Sequence, residues 1–144
     1  MSGEVAGDMG SSDSFLLRCL GVGSGHPSAG RCHSAYLFQM GPTTLLFDCG
    51  EPVSRTLKSV GVAGADIDRV FLSHLQFDHV GGFFMLMQGL WLEPRRVDLT
   101  VHLPEEGIEP LRRMLRAGYL FDELLPFKLA FEPLRHGRPI LVNE

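Results

Sequence analysis

Short apolar runs, separated by glycine, proline and other turn residues, dominate the first third of the chain and recur throughout it. Runs of β-branched and apolar residues bounded in this way are typical of β-strands. The pattern predicts strands over residues 15–20, 33–40, 43–47, 69–73, 97–103, 127–131 and 139–142.

Three longer stretches predict helices, at residues 51–60, 82–92 and 107–119. In the first and third, apolar residues recur every three or four positions, which indicates a helix with one buried face. The second is apolar nearly throughout and is expected to be buried. Strands come first and alternate with helices afterwards, so we predict a mixed α/β (α+β) fold in which helices cover the sheet.

Length and composition indicate one small folded domain, since the chain has 144 residues, of which 44% are hydrophobic and 21% charged. Residues 1–13 are rich in glycine, serine and aspartate and predict a flexible N-terminal tail, which leaves residues 14–144 as the domain. This tail lacks the basic and apolar regions of a signal peptide. The apolar run at residues 83–91 is too short to cross a bilayer, so no membrane contact is expected.

Charge and cysteine content narrow the expected partners and compartment. The net charge of −4 disfavours a protein held on nucleic acid by a basic surface, but not an enzyme that reads a phosphate-bearing end. The three cysteines, Cys19, Cys32 and Cys49, include no CxxC pair, so a disulfide framework is not expected. A reducing, cytoplasmic location fits best.

Residues 71–82 carry the most specific chemistry and read Phe-Leu-Ser-His-Leu-Gln-Phe-Asp-His-Val-Gly-Gly. His74, Asp78 and His79 follow a predicted strand directly. An extended backbone would send His74, Gln76 and Asp78 to one face. Imidazole and carboxylate suit zinc, with manganese or iron as alternatives, and such an ion makes hydroxide available at neutral pH. The segment therefore predicts a metal site.

This segment resembles the His-x-His-x-Asp-His signature of the metallo-β-lactamase superfamily. Together with the glycine-rich residues 21–28 and Leu-Phe-Asp-Cys-Gly-Glu at residues 46–51, it is similar in order and spacing to ribonuclease Z-like members. The resemblance implies an αββα sandwich of two similar halves, of which this chain supplies the first, so a fragment or a natural truncation is expected. The sheet face left bare predicts poor solubility or association with a partner, which leaves a homodimer open.

The resemblance also implies roles for individual residues. His74 would bind a first metal, while Asp78 and His79 would bind a second, and Asp78 would also handle a proton during attack by water. Gln76 replaces the second histidine of the signature, and its neutral amide oxygen predicts a loosely bound or missing first metal. Asp48 would support the site by hydrogen bonding, the alternative being a helix-cap or turn aspartate.

The glycine-rich residues would lie on the substrate side of the metals, with Ser24 and His26 near the substrate, although plain turn chemistry remains an alternative. Their Gly-x-Gly lacks the third glycine of a dinucleotide site and precedes a strand, which excludes that reading. Among other polar residues, His33 is expected to be an ordinary loop residue, His102 structural, and Arg95 part of a solvated surface.

The function implied is that of a metal-dependent hydrolase with one or two zinc ions, nearest to the phosphodiesterases. Metal-activated water would attack a phosphodiester or another ester. Two alternatives stay open. One is a truncated or non-catalytic relative with an impaired metal site, and the other is a hydrolase of the same fold that acts on a non-nucleotide small molecule.

Overall fold

The computed structural model describes residues 4–7, 14–93 and 95–142, which form one seven-stranded sheet with its strands side by side in chain order. The strands are β1 (Glu4–Gly7), β2 (Phe15–Gly21), β3 (Ala35–Met40), β4 (Thr43–Phe47), β5 (Arg69–Phe71), β6 (Leu99–Pro104) and β7 (Leu129–Leu134). The helices are α1 (Val53–Ser59), α2 (Phe77–Val80), α3 (Phe83–Leu92) and α4 (Glu105–Ala117). Within these ranges, no helix has the length and apolar character needed to span a membrane.

The sheet changes from antiparallel to parallel at β4. Strands β1 to β4 pair antiparallel, and β4 to β7 pair parallel. Parallel neighbours need a crossover connection, and α1, α3 and α4 lie in the three crossovers. Such crossovers are right-handed, so three successive steps in one direction place these helices on the same face of the sheet.

The main core lies between this face and the helices. Leu46, Val70 and Val101 occupy one row across β4, β5 and β6 and are fully buried. They belong to one apolar cluster with helical side chains that include Val53, Leu57, Phe83, Met87, Leu111 and Leu115. The apolar spacing of the predicted helices therefore corresponds to the buried side of the observed ones.

The opposite face carries a row of stacked rings. Phe47, Phe71 and His102 are neighbours across β4, β5 and β6, with ring centroids 4.8 Å and 4.7 Å apart. Burial lowers the pKa of His102, and its Nε2 accepts a hydrogen bond from Arg69 Nη1 at 3.1 Å. His102 is thus a buried residue of the sheet, and Phe47 at the end of the row is 38% exposed.

The structure differs from the sequence predictions at both ends of the chain. Residues 4–7 were predicted to belong to a loose tail, but they form β1, since the edge of β2 offers them unpaired backbone groups. The rest of that tail lies outside the described residues. Residues 139–142 form no strand, and Pro139 has no N–H to donate to a ladder.

Arg95 is 2% exposed, not solvated as the sequence suggested. Its guanidinium donates to backbone carbonyl oxygens at 2.8–3.3 Å, those of Val97, Gly64, Ala65 and Asp98. Burial lowers the pKa of this guanidinium, and nearby aspartates partly offset the effect. Arg95 therefore joins the segment before β6 to the turn after α1.

Candidate metal centre

The candidate ligands lie at the carboxyl edge of the parallel strands, where side chains from successive strand ends meet. β4 ends at Phe47 and β5 at Phe71, and the Asp48 N–H donates to the Phe71 carbonyl at 2.7 Å. This bond carries the pairing of the two strands one residue further. It places Asp48 beside Ser73 and the residues that follow.

Asp48 organises this edge through its carboxylate. The residue has a φ of 56°, in the left-handed region. Oδ1 accepts hydrogen bonds from the Ser73 N–H at 2.8 Å and from its hydroxyl at 2.9 Å, and Oδ2 accepts from His79 Nδ1 at 2.6 Å. The helix-cap alternative for Asp48 is wrong, because Pro52 caps α1 without any side-chain hydrogen bond.

The bond from Asp48 determines how His79 can act. Because a carboxylate only accepts, Nδ1 of His79 carries a proton, and in the neutral ring Nε2 is the nitrogen with the lone pair. That Nε2 lies 3.5 Å from Oδ2 of Asp78. His79 and Asp78 therefore present one nitrogen and one oxygen donor on the same side of the edge.

The backbone that carries this pair is helical, contrary to the extended arrangement predicted from residue 74 to residue 78. α2 begins at Phe77, and the Gln76 carbonyl accepts from the His79 N–H at 2.9 Å and the Val80 N–H at 3.0 Å. A helical turn places neighbouring side chains about 100° apart. Asp78 and His79 can thus face the same region although they are adjacent in sequence.

His74 and Gln76 form a second pair beside the first. His74 Nε2 lies 2.9 Å from Oε1 of Gln76, and its Nδ1 lies 2.9 Å from the Ser73 hydroxyl. The rings of His74 and His79 have centroids 4.1 Å apart. The structure therefore brings His74, Gln76, Asp78 and His79 together.

These donor types fit zinc, but each pair supplies only two donors. In the part of the chain that the structure describes, no three histidine, cysteine, aspartate or glutamate side chains are placed so that they could hold one metal ion together. A catalytic zinc site takes three protein ligands and keeps a position for water. The fit is that of an incomplete centre which needs further donors.

Cys49 does not supply such a donor. It is fully buried next to Asp48. Burial raises the pKa of its thiol well above the ordinary value, and the charge of Asp48 raises it further. The thiol therefore stays protonated, whereas a metal ligand must be a thiolate.

The glycine-rich residues lie beside Asp78, within a longer segment that we call the site loop (residues 23–33). A Cβ added to Gly25 would lie 3.3 Å from Asp78 Oδ2, so the loop backbone is close to the carboxylate. The Ser24 carbonyl is bonded to the ring of His33, and His26 is exposed. A role of Ser24 and His26 towards a substrate remains a prediction.

Sequence reasoning missed two residues that shape this edge. The hydroxyl of Ser73 lies within hydrogen-bond distance of Asp48, His74 and His79. His33, expected to be an ordinary loop residue, bonds the loop backbone instead. For Ser73 the signal was its place between a buried strand and the first candidate ligand. For His33 the sequence offered none, since its partner depends on how the loop closes.

Comparison with known proteins identifies relatives of this chain. Residues 15–132 match the family model of the anti-Pycsar protein Apyc1. A ribonuclease Z from Methanococcus maripaludis strain C5 is 33% identical over 103 residues, which are 72% of this chain and 33% of that protein. A ribonuclease Z from Bradyrhizobium sp. strain ORS 278 is 36% identical over 124 residues, 86% of this chain and 41% of that protein.

A solved structure shows the same fold. The metallo-β-lactamase fold protein YhfI from Bacillus subtilis superimposes with a TM-score of 0.71 at 24% identity, covering 88% of this chain and 48% of that one. The predicted fold class is therefore confirmed. This chain spans 33% and 41% of the lengths of the two curated relatives.

Proposed function

Because this chain belongs to the family of the anti-Pycsar protein Apyc1 and to the ribonuclease Z-like metallo-β-lactamase superfamily, we propose that it forms the N-terminal half of a metal-dependent phosphodiesterase. One observation carries this proposal. Asp48 holds the proton on His79 Nδ1 at 2.6 Å, which leaves Nε2 free beside the Asp78 carboxylate. In metal centres, a histidine ligand typically donates its other ring N–H to a carboxylate that does not itself bind the metal, as His79 does here to Asp48.

In this proposal Asp78 and His79 hold one cation, and His74 with Gln76 holds another more weakly. A bound zinc, manganese or iron ion would supply hydroxide at neutral pH and polarise a phosphoryl oxygen. The Asp78 carboxylate would accept a proton from the attacking water. Asp48 would keep the His79 ring oriented throughout, since a buried carboxylate opposes rotation of a ring that donates to it.

The missing donors would come from the rest of a longer protein or from a partner chain, which includes a second copy. The row of Phe47, Phe71 and His102, of which Phe47 is 38% exposed, lies on the sheet face that such a partner would cover. Cys19, Cys32 and Cys49 are all free, which supports a reducing compartment such as the cytoplasm.

The substrate we propose carries a phosphodiester bond, in RNA or in a smaller molecule. The relatives named ribonuclease Z support this class. The expectation that negative charge disfavours nucleic acid finds no support in these comparisons. Gln76 favours the alternative of a non-catalytic relative, because an amide oxygen binds a cation less strongly than imidazole does.

Hydrolysis of a general phosphodiester probe tests the proposal. The chain, together with the segment or partner that supplies the missing donors, would be loaded with Zn²⁺ or Mn²⁺ and assayed with bis(p-nitrophenyl) phosphate, using p-nitrophenyl phosphate and p-nitrophenyl acetate for comparison. We expect metal-dependent cleavage of the diester, little cleavage of the other two, and loss of activity with a chelator. Bound metal without cleavage of any probe would instead support the non-catalytic relative.

The first metal position can be tested by restoring the histidine of the signature. In Gln76→His, an imidazole replaces the neutral amide, so we expect roughly tenfold tighter Zn²⁺ binding, which corresponds to about 1.4 kcal/mol. Competition with a chromogenic chelator measures the affinity. Gln88→His is the matched control, because Gln88 is exposed on α3, away from the ligands. Equal affinities in the two variants would contradict the assignment of Gln76.

A further inference from the structure

The site loop is fastened at its base to the segments that carry the metal centre. The Gly23 N–H donates to the Cys32 carbonyl at 2.7 Å, and the His33 N–H donates to the Glu51 carbonyl at 3.0 Å. The Gly50 N–H in turn donates to the Ser34 carbonyl at 2.9 Å. These backbone bonds fix where the loop begins and ends, but none of them reaches its residues nearest Asp78.

The side chain of His33 makes the contact that the backbone does not. Its Nδ1 lies 2.9 Å from the carbonyl oxygen of Ser24. Because a carbonyl only accepts, Nδ1 carries the proton and donates it, which fixes the tautomer of the ring. His33 is partly buried and is anchored through its own N–H, so its ring is a firm support for the Ser24 peptide.

The peptide held by His33 leads directly to Gly25, a loop residue that lies close to a candidate ligand. An added Cβ on Gly25 would be 3.3 Å from Asp78 Oδ2 and 3.4 Å from its Cγ. A Cβ at 3.3 Å would be tighter than ordinary van der Waals contact, so Gly25 lies next to the carboxylate, and a larger residue there would press on Oδ2. Rotation of that carboxylate would move Oδ2 away from His79 Nε2.

We propose that His33 is a positioning residue for the metal centre. Its Nδ1–H bond to Ser24 holds Gly25 against the Asp78 carboxylate and so keeps Oδ2 facing His79. This inference rests on the proposed function, in which Asp78 is a ligand. It assigns to His33 an effect on metal affinity that acts through Ser24 and Gly25.

Four variants test the chain of contacts. His33→Ala removes the donor, and His33→Asn restores it, because the asparagine Nδ2–H can replace Nδ1–H. Gly25→Ala adds a methyl group 3.3 Å from Asp78 Oδ2 and leaves the hydrogen bond from His33 to Ser24 in place. Gly30→Ala is the matched control in the same loop, because a Cβ there meets nothing within 4 Å.

Affinity for Mn²⁺ and Zn²⁺, measured by chelator competition, is the first readout. We expect His33→Ala and Gly25→Ala to bind about tenfold more weakly, as for other residues that orient a ligand, while His33→Asn stays within about twofold of the parent. Gly30→Ala should match the parent. Parental affinity in both His33→Ala and Gly25→Ala would overturn the proposal. If His33→Ala does not fold, Gly25→Ala and His33→Asn still decide the question.

Metal-free NMR separates failure of this inference from failure of the proposed function. We expect ¹⁵N shifts that show the Nδ1–H tautomer of His33, and a ¹³C shift of the Asp78 carboxyl that changes in His33→Ala and Gly25→Ala but not in Gly30→Ala. If the parent binds no metal even when the missing donors are supplied, the proposed function fails and this readout alone decides. An unchanged Asp78 resonance in His33→Ala and Gly25→Ala would then overturn the positioning role.

Discussion

Replacing His79 with alanine is expected to remove tight metal binding and to lower phosphodiester hydrolysis by about 10³-fold. The loss follows from the geometry, because Nε2 is the ring nitrogen that Asp48 leaves free and it lies 3.5 Å from Asp78 Oδ2. A metal ion is worth several kcal/mol of transition-state stabilisation, and about 4 kcal/mol corresponds to that factor. Metal content by mass spectrometry and hydrolysis of the diester probe measure the two effects. Asp78→Ala should behave in the same way.

A second substitution separates the loss of a ligand from the loss of a structural bond. In His79→Asn, the Nδ2–H can still donate to Asp48, but nothing replaces Nε2. We therefore expect stability near that of the parent together with the same loss of metal. His136→Ala is the control, since His136 is an exposed histidine in a turn. Parental metal content in His79→Ala and Asp78→Ala would rule out these ligands.

The largest effect on stability is expected for Arg95→Ala, which should lower the free energy of unfolding by about 3–5 kcal/mol, as for other buried charged networks. Arg95 is 2% exposed and donates to four backbone carbonyls, and the substitution removes all of these hydrogen bonds. It also removes a side chain 5.5 Å from the Phe127 ring. Urea unfolding followed by circular dichroism measures the change.

Arg95→Lys tests whether stability depends on the planar guanidinium, with its several N–H donors, as well as on the positive charge. An ammonium group donates from a single point and cannot reach carbonyls on both sides, so we expect a loss between those of Arg95→Ala and the parent. Arg113→Ala is the matched control on α4. Its side chain is 77% exposed and pairs with the exposed Glu109, so the change should stay below about 0.5 kcal/mol. If Arg95→Ala and Arg113→Ala unfold at similar urea concentrations, Arg95 does not stabilise the fold as proposed.

The sequence predicted the fold best where local chemistry decides the structure. The strand predicted at residues 43–47 is observed with the same limits, because a glycine-proline turn precedes it and Asp48 follows it. The helices at residues 82–92 and 107–119 were found within about two residues because their apolar residues face one core. In both cases, residues close together in the sequence decide where the element begins and ends.

The residues of the candidate site lie together, but on a different backbone from the one that the sequence predicted. Alternation of polar and apolar residues suggested an extended segment up to Asp78, but α2 begins at Phe77 because the Gln76 carbonyl accepts two helical N–H groups. Arg95 and His33 were misread for a different reason. Their partners lie far away or depend on loop closure, as with the Gly64 and Ala65 carbonyls, 31 and 30 residues earlier. Sequence shows the type of side chain, whereas tertiary structure decides what it bonds.

The order of the strands has a consequence for how the protein is made. Each strand pairs with the one synthesised before it, so a chain leaving the ribosome finds its partner edge already present. Folding during synthesis begins at the N-terminal part of a domain, and contacts between elements close in sequence form faster than distant ones. Asp48, Ser73 and His79 all precede β6, so their hydrogen bonds need only the first five strands and α2. The hydrogen bonds around the candidate metal centre can therefore form on the nascent chain, before the last two strands have left the ribosome.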